Sequence, residues 1–203
     1  MPLVYGDILS GNCYKIALLF SHLGIAHEWQ ETLVSRGDTR TPEFLGLNPA
    51  GQIPLVVMDS GELLTQSNAI LFHYASGTSL LPVEKLQLAR VLEWQFFEQY
   101  SHEPTIAVRR YIQKFLGLPA ERRVEYDAKE EGSYRALRVM EKRLADNQYL
   151  VGENYSIADI SLYAYTHVAH EADIDLGEFP GINRWLKNVQ NQPRYIGMSP
   201  PIT

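Results

Sequence analysis

The pattern of apolar residues changes once along the chain, near residues 77–82 (GTSLLP), and this change constrains the fold more than any other feature. Before it, short strand-like and helix-like patterns alternate; after it, apolar residues recur only at helical spacing. Gly, Ser and Pro cluster at the change itself, as is typical of a connecting segment. We therefore predict an α/β domain in residues 1–78, a linker in 79–84 and an all-helical domain in 85–203.

The first domain reads as a β-α-β-α-β-β-α unit. Gly24 gives a natural end to the first helix, and the turn 59–61 predicts that the last two strands form an antiparallel hairpin. The β-α-β start favours a parallel first pair of strands. The predicted strands are 3–5, 27–33, 55–58 and 62–64, and the predicted helices are 13–23, 41–45 and 68–75.

The second domain shows three long helical patterns, 83–116, 121–147 and 182–190. Its clearest local signal is a capping box, in which Ser156 caps a helix and Asp159 reaches back to the Ser156 amide. This signal concerns folding rather than catalysis.

Composition excludes several classes of function. The chain has 203 residues and a formal net charge of −6, which argues against a nucleic-acid binder. Cys13 is the one cysteine, so an internal disulfide and a Cys-rich metal site are excluded. His167 and His170 are spaced like a metal pair, but without a suitably spaced third ligand we interpret them as surface residues. No apolar run is long enough for a membrane span, and the N-terminus lacks a signal-peptide pattern, so we expect a cytoplasmic protein.

Several segments, in this order and spacing, resemble the cytosolic glutathione transferase family over nearly the whole chain. They are 10–18 (SGNCYKIAL), 48–54 (NPAGQIP), 66–70 (QSNAI) and the Ser156–Asp159 capping box. The resemblance implies a thioredoxin-like glutathione-binding domain followed by a helical bundle. It also implies glutathione as co-substrate, no metal, a role in detoxification, and a homodimer.

The loop before the first helix carries the candidate catalytic residues. Ser10 resembles the catalytic serine of the serine-type classes, and a hydroxyl at the positive end of a helix can stabilise a thiolate. Asn12 is the alternative, because Ser10-Gly11-Asn12 resembles the Thr-x-Asn pair of bacterial members associated with disulfide reduction. Cys13 stands where a redox C-x-x-C would have its second cysteine, but Ser10 replaces the attacking thiol. We therefore expect Cys13 to be a buried helix residue.

The remaining glutathione contacts follow from the resemblance. Ile53-Pro54 resembles the family's cis-proline turn, whose backbone pairs with the cysteinyl unit. Gln66 and Ser67, at a helix start, suit the γ-glutamyl carboxylate. For the glycyl carboxylate the candidates are Gln52 and Arg40, with Arg36 as an alternative to Arg40.

A polar and aromatic stretch in the first long helix of the second domain is the candidate substrate pocket. It comprises Tyr100, Glu103, Ile106 and Arg109. The sequence does not identify the acceptor. The leading prediction is a transferase that activates glutathione for attack on an electrophile. Glutathione-dependent disulfide reduction in the same site and a non-catalytic binding or scaffold protein stay open as alternatives.

Overall fold

The computed structural model describes residues 1–198, and the residues fall into two compact units. Among the described residues, one unit is Met1–Ser76 together with 193–198, and the other is Gly77–Gln192. The sequence boundaries assigned 193–203 to the helical domain, of which residues 199–203 lie outside the described part. Residues 193–198 lie instead with the first unit, because Tyr14, Ser21 and His22 of the first helix bond to backbone carbonyls in 193–196.

The first unit has the predicted order β-α-β-α-β-β-α, which confirms the predicted α/β class. Its strands are β1 (Leu3–Gly6), β2 (Glu28–Glu31), β3 (Leu55–Val57) and β4 (Leu63–Thr65), and its helices are α1 (Gly11–Leu23), α2 (Pro42–Leu47) and α3 (Ser67–Ala75). The sheet order is β2-β1-β3-β4, with β1 and β2 parallel and the other pairs antiparallel.

Helices α1 and α3 pack together beside this sheet, and the apolar residues that join them are fully buried. Gly24, at φ 66°, ends α1 as predicted and returns its amide to the carbonyls of Phe20 and Ser21. Gly6 ends β1 where α1 comes closest, because a Cβ there would lie 3.1 Å from the Cys13 sulfur and 3.0 Å from Trp29. The close approach brings the start of α1 directly to the end of β1.

The second unit is helical. Its helices are α4 (Lys85–Phe97), α5 (Glu103–Arg110), α6 (Arg123–Ala128), α7 (Glu130–Leu144), α8 (Ile157–Thr166) and α9 (Pro180–Gln190). Wider π-helical turns at Glu98–His102 and Tyr111–Phe115 flank α5, so the helix predicted over 83–116 is not uniform. Helix α9 begins two residues earlier than predicted, because Glu141 of α7 accepts hydrogen bonds from the amides of Gly181 and Ile182.

The predicted capping box at the start of α8 is confirmed. Ser156 Oγ accepts from the Ala158 amide, and Asp159 Oδ2 accepts from the Ser156 amide at 3.0 Å. None of the helices in residues 1–198 combines the length and apolar character required to cross a bilayer.

Candidate functional site

Three short segments meet at one edge of the sheet. In the strand register Leu55, at the start of β3, lies opposite both Tyr5 of β1 and Thr65 of β4. The end of β1, the start of β3 and the end of β4 are therefore neighbours. The loop to Ser10 follows the end of β1, the Ile53-Pro54 turn immediately precedes β3, and the Gln66-Ser67 step follows the end of β4. The three predicted glutathione-binding segments thus lie side by side.

Ser10 occupies the N-cap position of α1, where its backbone is extended and its side chain makes no capping bond to the helix. Its carbonyl accepts the hydrogen bond from the Tyr14 amide, which starts the helix. The Ser10 hydroxyl instead interacts with the Cys13 sulfur. Burial raises the pKa of Cys13 to about 12, and the hydrogen bond from Ser10 opposes this only in part. Cys13 is therefore a protonated thiol at neutral pH and a poor nucleophile, as predicted for a buried helix residue.

Asn12 and Ser67 connect the beginnings of two helices. Ser67, the first residue of α3, donates a hydrogen bond from its hydroxyl to Asn12 Oδ1 at 3.2 Å. Asn12 lies in the first turn of α1, so the positive ends of both helices come together here. An anion at this point would be attracted by both helix ends.

Lys15 is a member of this cluster that the sequence reasoning missed. Its side chain is fully buried, and its ammonium group donates to Asn12 Oδ1 at 2.8 Å and to Ser67 Oγ at 3.3 Å. The spacing of three residues from Asn12 to Lys15 along α1 was a usable signal, because such pairs share a helix face. Its contact with Ser67, which is 52 residues away in the chain, had no local signal.

The two turns beside this cluster have special backbone geometry. The Ile53-Pro54 bond is cis, which confirms the predicted cis-proline turn. Gln66 has φ 67° and ψ 111°, a conformation that costs a non-glycine residue about 1–3 kcal/mol. Strain of this kind is concentrated at functional sites. The exposed Gln66 side chain lies immediately before α3, and its role at the γ-glutamyl end stays a prediction.

Arg40 contacts Gly51, the residue immediately before Gln52. A Cβ on Gly51 would collide with Arg40 Nη1, so the guanidinium lies against the backbone immediately before Gln52. Both side chains are exposed. Arg36, the alternative, bonds to Asp38 at 3.0 Å and to Glu31 at 3.3 Å. The Arg36 guanidinium is therefore already paired with carboxylates of the chain, which favours Arg40 as the candidate for the glycyl carboxylate.

The candidate pocket residues of the helical unit have very different surroundings. Tyr100 is 90% exposed, whereas Ile106 is fully buried and Arg109 is 2% exposed. The Arg109 guanidinium lies 3.9 Å from the ring centre of Tyr126 and bonds to the carbonyls of Tyr126 and Ala172. These contacts give Arg109 a packing role, and its assignment to a substrate pocket, with Tyr100, Glu103 and Ile106, stays a prediction.

His167 and His170 do not form a ligand pair with a third group. The His167 ring stacks on the Tyr163 ring, with 4.5 Å between the ring centres, and its Nδ1 bonds to the Tyr163 carbonyl. Burial lowers the pKa of His167 to about 4. Among residues 1–198, no group of three or more His, Cys, Asp or Glu side chains is placed to hold a metal ion.

Comparison with known proteins gives consistent matches over both units. Residues 9–76 match the family model of the glutathione S-transferase N-terminal domain, and residues 99–193 match that of the C-terminal domain. A crystal structure of a glutathione S-transferase from Pseudomonas fluorescens is 54% identical, with a TM-score of 0.95 and coverage of 97% of this chain and 98% of that one.

Two further relatives bear on the chemistry. The disulfide-bond oxidoreductase YfcG of Escherichia coli is 28% identical, over 90% of this chain and 87% of its own length. A glutathione transferase from Burkholderia graminis, solved with two glutathione molecules bound per subunit, is 25% identical. The TM-score is 0.83, and the match covers 95% of this chain and 85% of the relative's chain.

Proposed function

Since the chain belongs to the glutathione S-transferase family, we propose that it binds glutathione and stabilises the thiolate for attack on an electrophilic small molecule. The observation that carries the proposal is the meeting of Ser10 and Asn12 at the start of α1, the Ile53-Pro54 turn and the Gln66-Ser67 step at one sheet edge. The glutathione bound to the Burkholderia graminis relative supports the same ligand here.

Thiolate stabilisation falls to Ser10 and Asn12. A free thiol has a pKa near 8.5. Lowering this pKa by two units requires about 2.7 kcal/mol of preferential interaction with the thiolate. Two neutral donors at the positive end of α1 supply an effect of that order. In this proposal the Ser10 hydroxyl turns from the Cys13 sulfur to the glutathione sulfur when the ligand binds.

The rest of the tripeptide is held by its ends and its backbone. The first-turn amides of α3 and Gln66 bind the γ-glutamyl carboxylate, and the Ile53 backbone pairs with the cysteinyl unit. Arg40 and Gln52 bind the glycyl carboxylate. The thiolate then attacks the electrophilic centre, forms a carbon–sulfur bond, and expels the leaving group with its electron pair. We keep Tyr100, Glu103, Ile106 and Arg109 as the proposed acceptor-binding residues.

Disulfide reduction is the second candidate, favoured by the position of Asn12 at the cluster and by the YfcG relative. Here the glutathione thiolate attacks one sulfur of a disulfide, forms a mixed disulfide and releases the other sulfur as a thiolate. The thiolate of a second glutathione then attacks the glutathione sulfur of the mixed disulfide, forms glutathione disulfide and releases the remaining substrate sulfur as a thiolate. No protein cysteine takes part, in agreement with the burial of Cys13.

The test follows thiolate absorbance against pH for glutathione bound to wild type, Ser10→Ala and Asn12→Ala. Ser76→Ala is the matched control, since that exposed hydroxyl bonds to the Phe72 carbonyl at the other end of α3. The same proteins are assayed with an aryl halide and with a mixed disulfide. We expect a bound-thiol pKa well below the free value, raised in Ser10→Ala and unchanged in the control.

Each other outcome has a definite meaning. A low pKa that rises only in Asn12→Ala assigns the activating role to Asn12. Saturable binding without turnover of either substrate indicates a non-catalytic glutathione-binding protein. If wild type does not bind glutathione, the proposed function is wrong.

We also propose, on family membership alone, a homodimer that works in the cytoplasm in detoxification. Sedimentation at micromolar concentration tests the dimer, and a monomer at all concentrations would contradict it.

A further inference from the structure

The buried ammonium group of Lys15 contacts Asn12 and Ser67, two residues of the proposed glutathione site. We infer that Lys15 is a positioning residue for glutathione: it fixes the orientation of the Asn12 amide and contributes positive charge where the ligand is anionic. The inference rests on the proposed function for its ligand, but its first part concerns the ligand-free protein as well.

The hydrogen bonds determine which end of the Asn12 amide faces the site. Oδ1 accepts from Lys15 at 2.8 Å and from Ser67 at 3.2 Å, so both donors converge on the carbonyl oxygen. If the amide were flipped, its NH₂ group would face an ammonium group and a hydroxyl donor, and both donors would lose Asn12 Oδ1 as an acceptor. Such a loss costs about 1–3 kcal/mol. Lys15 therefore directs the NH₂ group of Asn12 away from the cluster.

This orientation matters because a thiolate needs hydrogen-bond donors. An Asn side chain offers either a donor or an acceptor to a neighbour, depending on which way the amide is turned. With Oδ1 held by Lys15 and Ser67, Asn12 offers its donor. Lys15 thus acts on the sulfur through Asn12.

Lys15 also engages Ser67, whose hydroxyl accepts from the ammonium group at 3.3 Å and donates to Asn12 at 3.2 Å in the ligand-free protein. In the proposed complex the γ-glutamyl carboxylate is recognised by the amides at the start of α3, close to the charge of Lys15. A buried charge acts more strongly on a nearby anion than an exposed one, because the surrounding dielectric constant is lower.

A purely structural role for Lys15 makes a different prediction. A buried side chain whose stem fills space in α1 would affect stability when replaced, but not the bound-thiol pKa. Lys15→Met keeps the apolar stem and removes the charge and the donors. Lys15→Arg keeps both, and exposed Lys187→Met on α9 is the matched control for loss of a lysine.

The experiment measures glutathione binding by calorimetry and the bound-thiol pKa by absorbance for these variants. In Lys15→Met we expect binding to weaken by about tenfold or more and the thiol pKa to rise by about one unit. Lys15→Arg should recover a large part of both, and Lys187→Met should match wild type. Wild-type affinity and thiol pKa in folded Lys15→Met would overturn the inference.

A ligand-free measurement separates this inference from the proposed function. Nuclear Overhauser effects from the Asn12 NH₂ protons report the amide orientation without glutathione. We expect these contacts to change in Lys15→Met, because Oδ1 loses its ammonium donor. If wild type binds no glutathione, the proposed function fails, and an unchanged amide pattern in Lys15→Met then overturns the positioning role as well.

Discussion

The indole nitrogen of Trp185 donates a hydrogen bond to Asp159 Oδ1 at 2.9 Å, so the capping carboxylate of α8 also anchors α9. The same oxygen accepts from the Leu150 amide, and the other oxygen accepts from the amide and the hydroxyl of Ser156. A residue that the sequence identifies as a local cap therefore joins three segments of the helical unit.

Replacing Asp159 by Asn should reduce the free energy of unfolding by about 3 kcal/mol or more, because an NH₂ group would face buried donors. Urea denaturation followed by circular dichroism measures this change. Asp146→Asn, at an exposed carboxylate, is the matched control and should change stability little. A loss in Asp159→Asn no larger than in the control would contradict a role beyond the cap.

The Asp159 carboxyl should also give a defined pH dependence. Burial raises its pKa from 3.8 to about 6 in the folded protein, so the folded state takes up a proton before the unfolded state does. The stability of wild type relative to Asp159→Asn should therefore rise as the pH falls from about 7 to 4. A difference that shrinks over this range would contradict the raised pKa.

His167 should act in the opposite direction. Burial lowers its pKa from 6.5 to about 4, so the unfolded chain is protonated first as the pH falls. Relative to His167→Phe, which keeps a ring on Tyr163, wild type should lose about 2.5 kcal/mol of stability between pH 6.5 and 4. Thermal unfolding at several pH values measures this. A stability difference that stays constant over this range would contradict the lowered pKa of His167.

Cys13 should be unreactive while the protein is folded. Its thiol is buried, with a pKa of about 12, and alkylation requires an accessible thiolate. We expect iodoacetamide to label Cys13 completely in denaturant and negligibly in the native protein at neutral pH, as counted by mass spectrometry. Native labelling at the rate of a small free thiol would show that the first turn of α1 opens readily.

Arg40 and Arg36 form a matched pair for the glycyl carboxylate. Arg40→Ala should weaken glutathione binding about tenfold, with less effect at high salt, while the bound-thiol pKa stays unchanged. Arg36→Ala should leave binding unaltered, because this guanidinium pairs with Asp38 and Glu31. Calorimetry at two salt concentrations measures both. Equal losses in the two variants would remove the distinction between them.

The sequence by itself determined the features that depend on local chemistry. The alternation of strand and helix, the end of α1 at Gly24, the turn at Ile53-Pro54 and the cap at Ser156 were all predicted, because each is specified within a few neighbouring residues. The Ser10 loop was identified from its resemblance to known proteins, and its catalytic role stays a proposal.

Only the tertiary structure decided which distant groups meet. The contact of Lys15 with Ser67, the burial of Arg109 against Tyr126, and the return of the chain after Pro193 to the first unit have no signal in local spacing. The physical reason is that burial and hydrogen bonding depend on what other segments bring to the same place. From sequence alone, a lysine or an arginine in a helix is interpreted as a solvated charge. Only the folded structure shows which hydrogen-bond acceptors surround it.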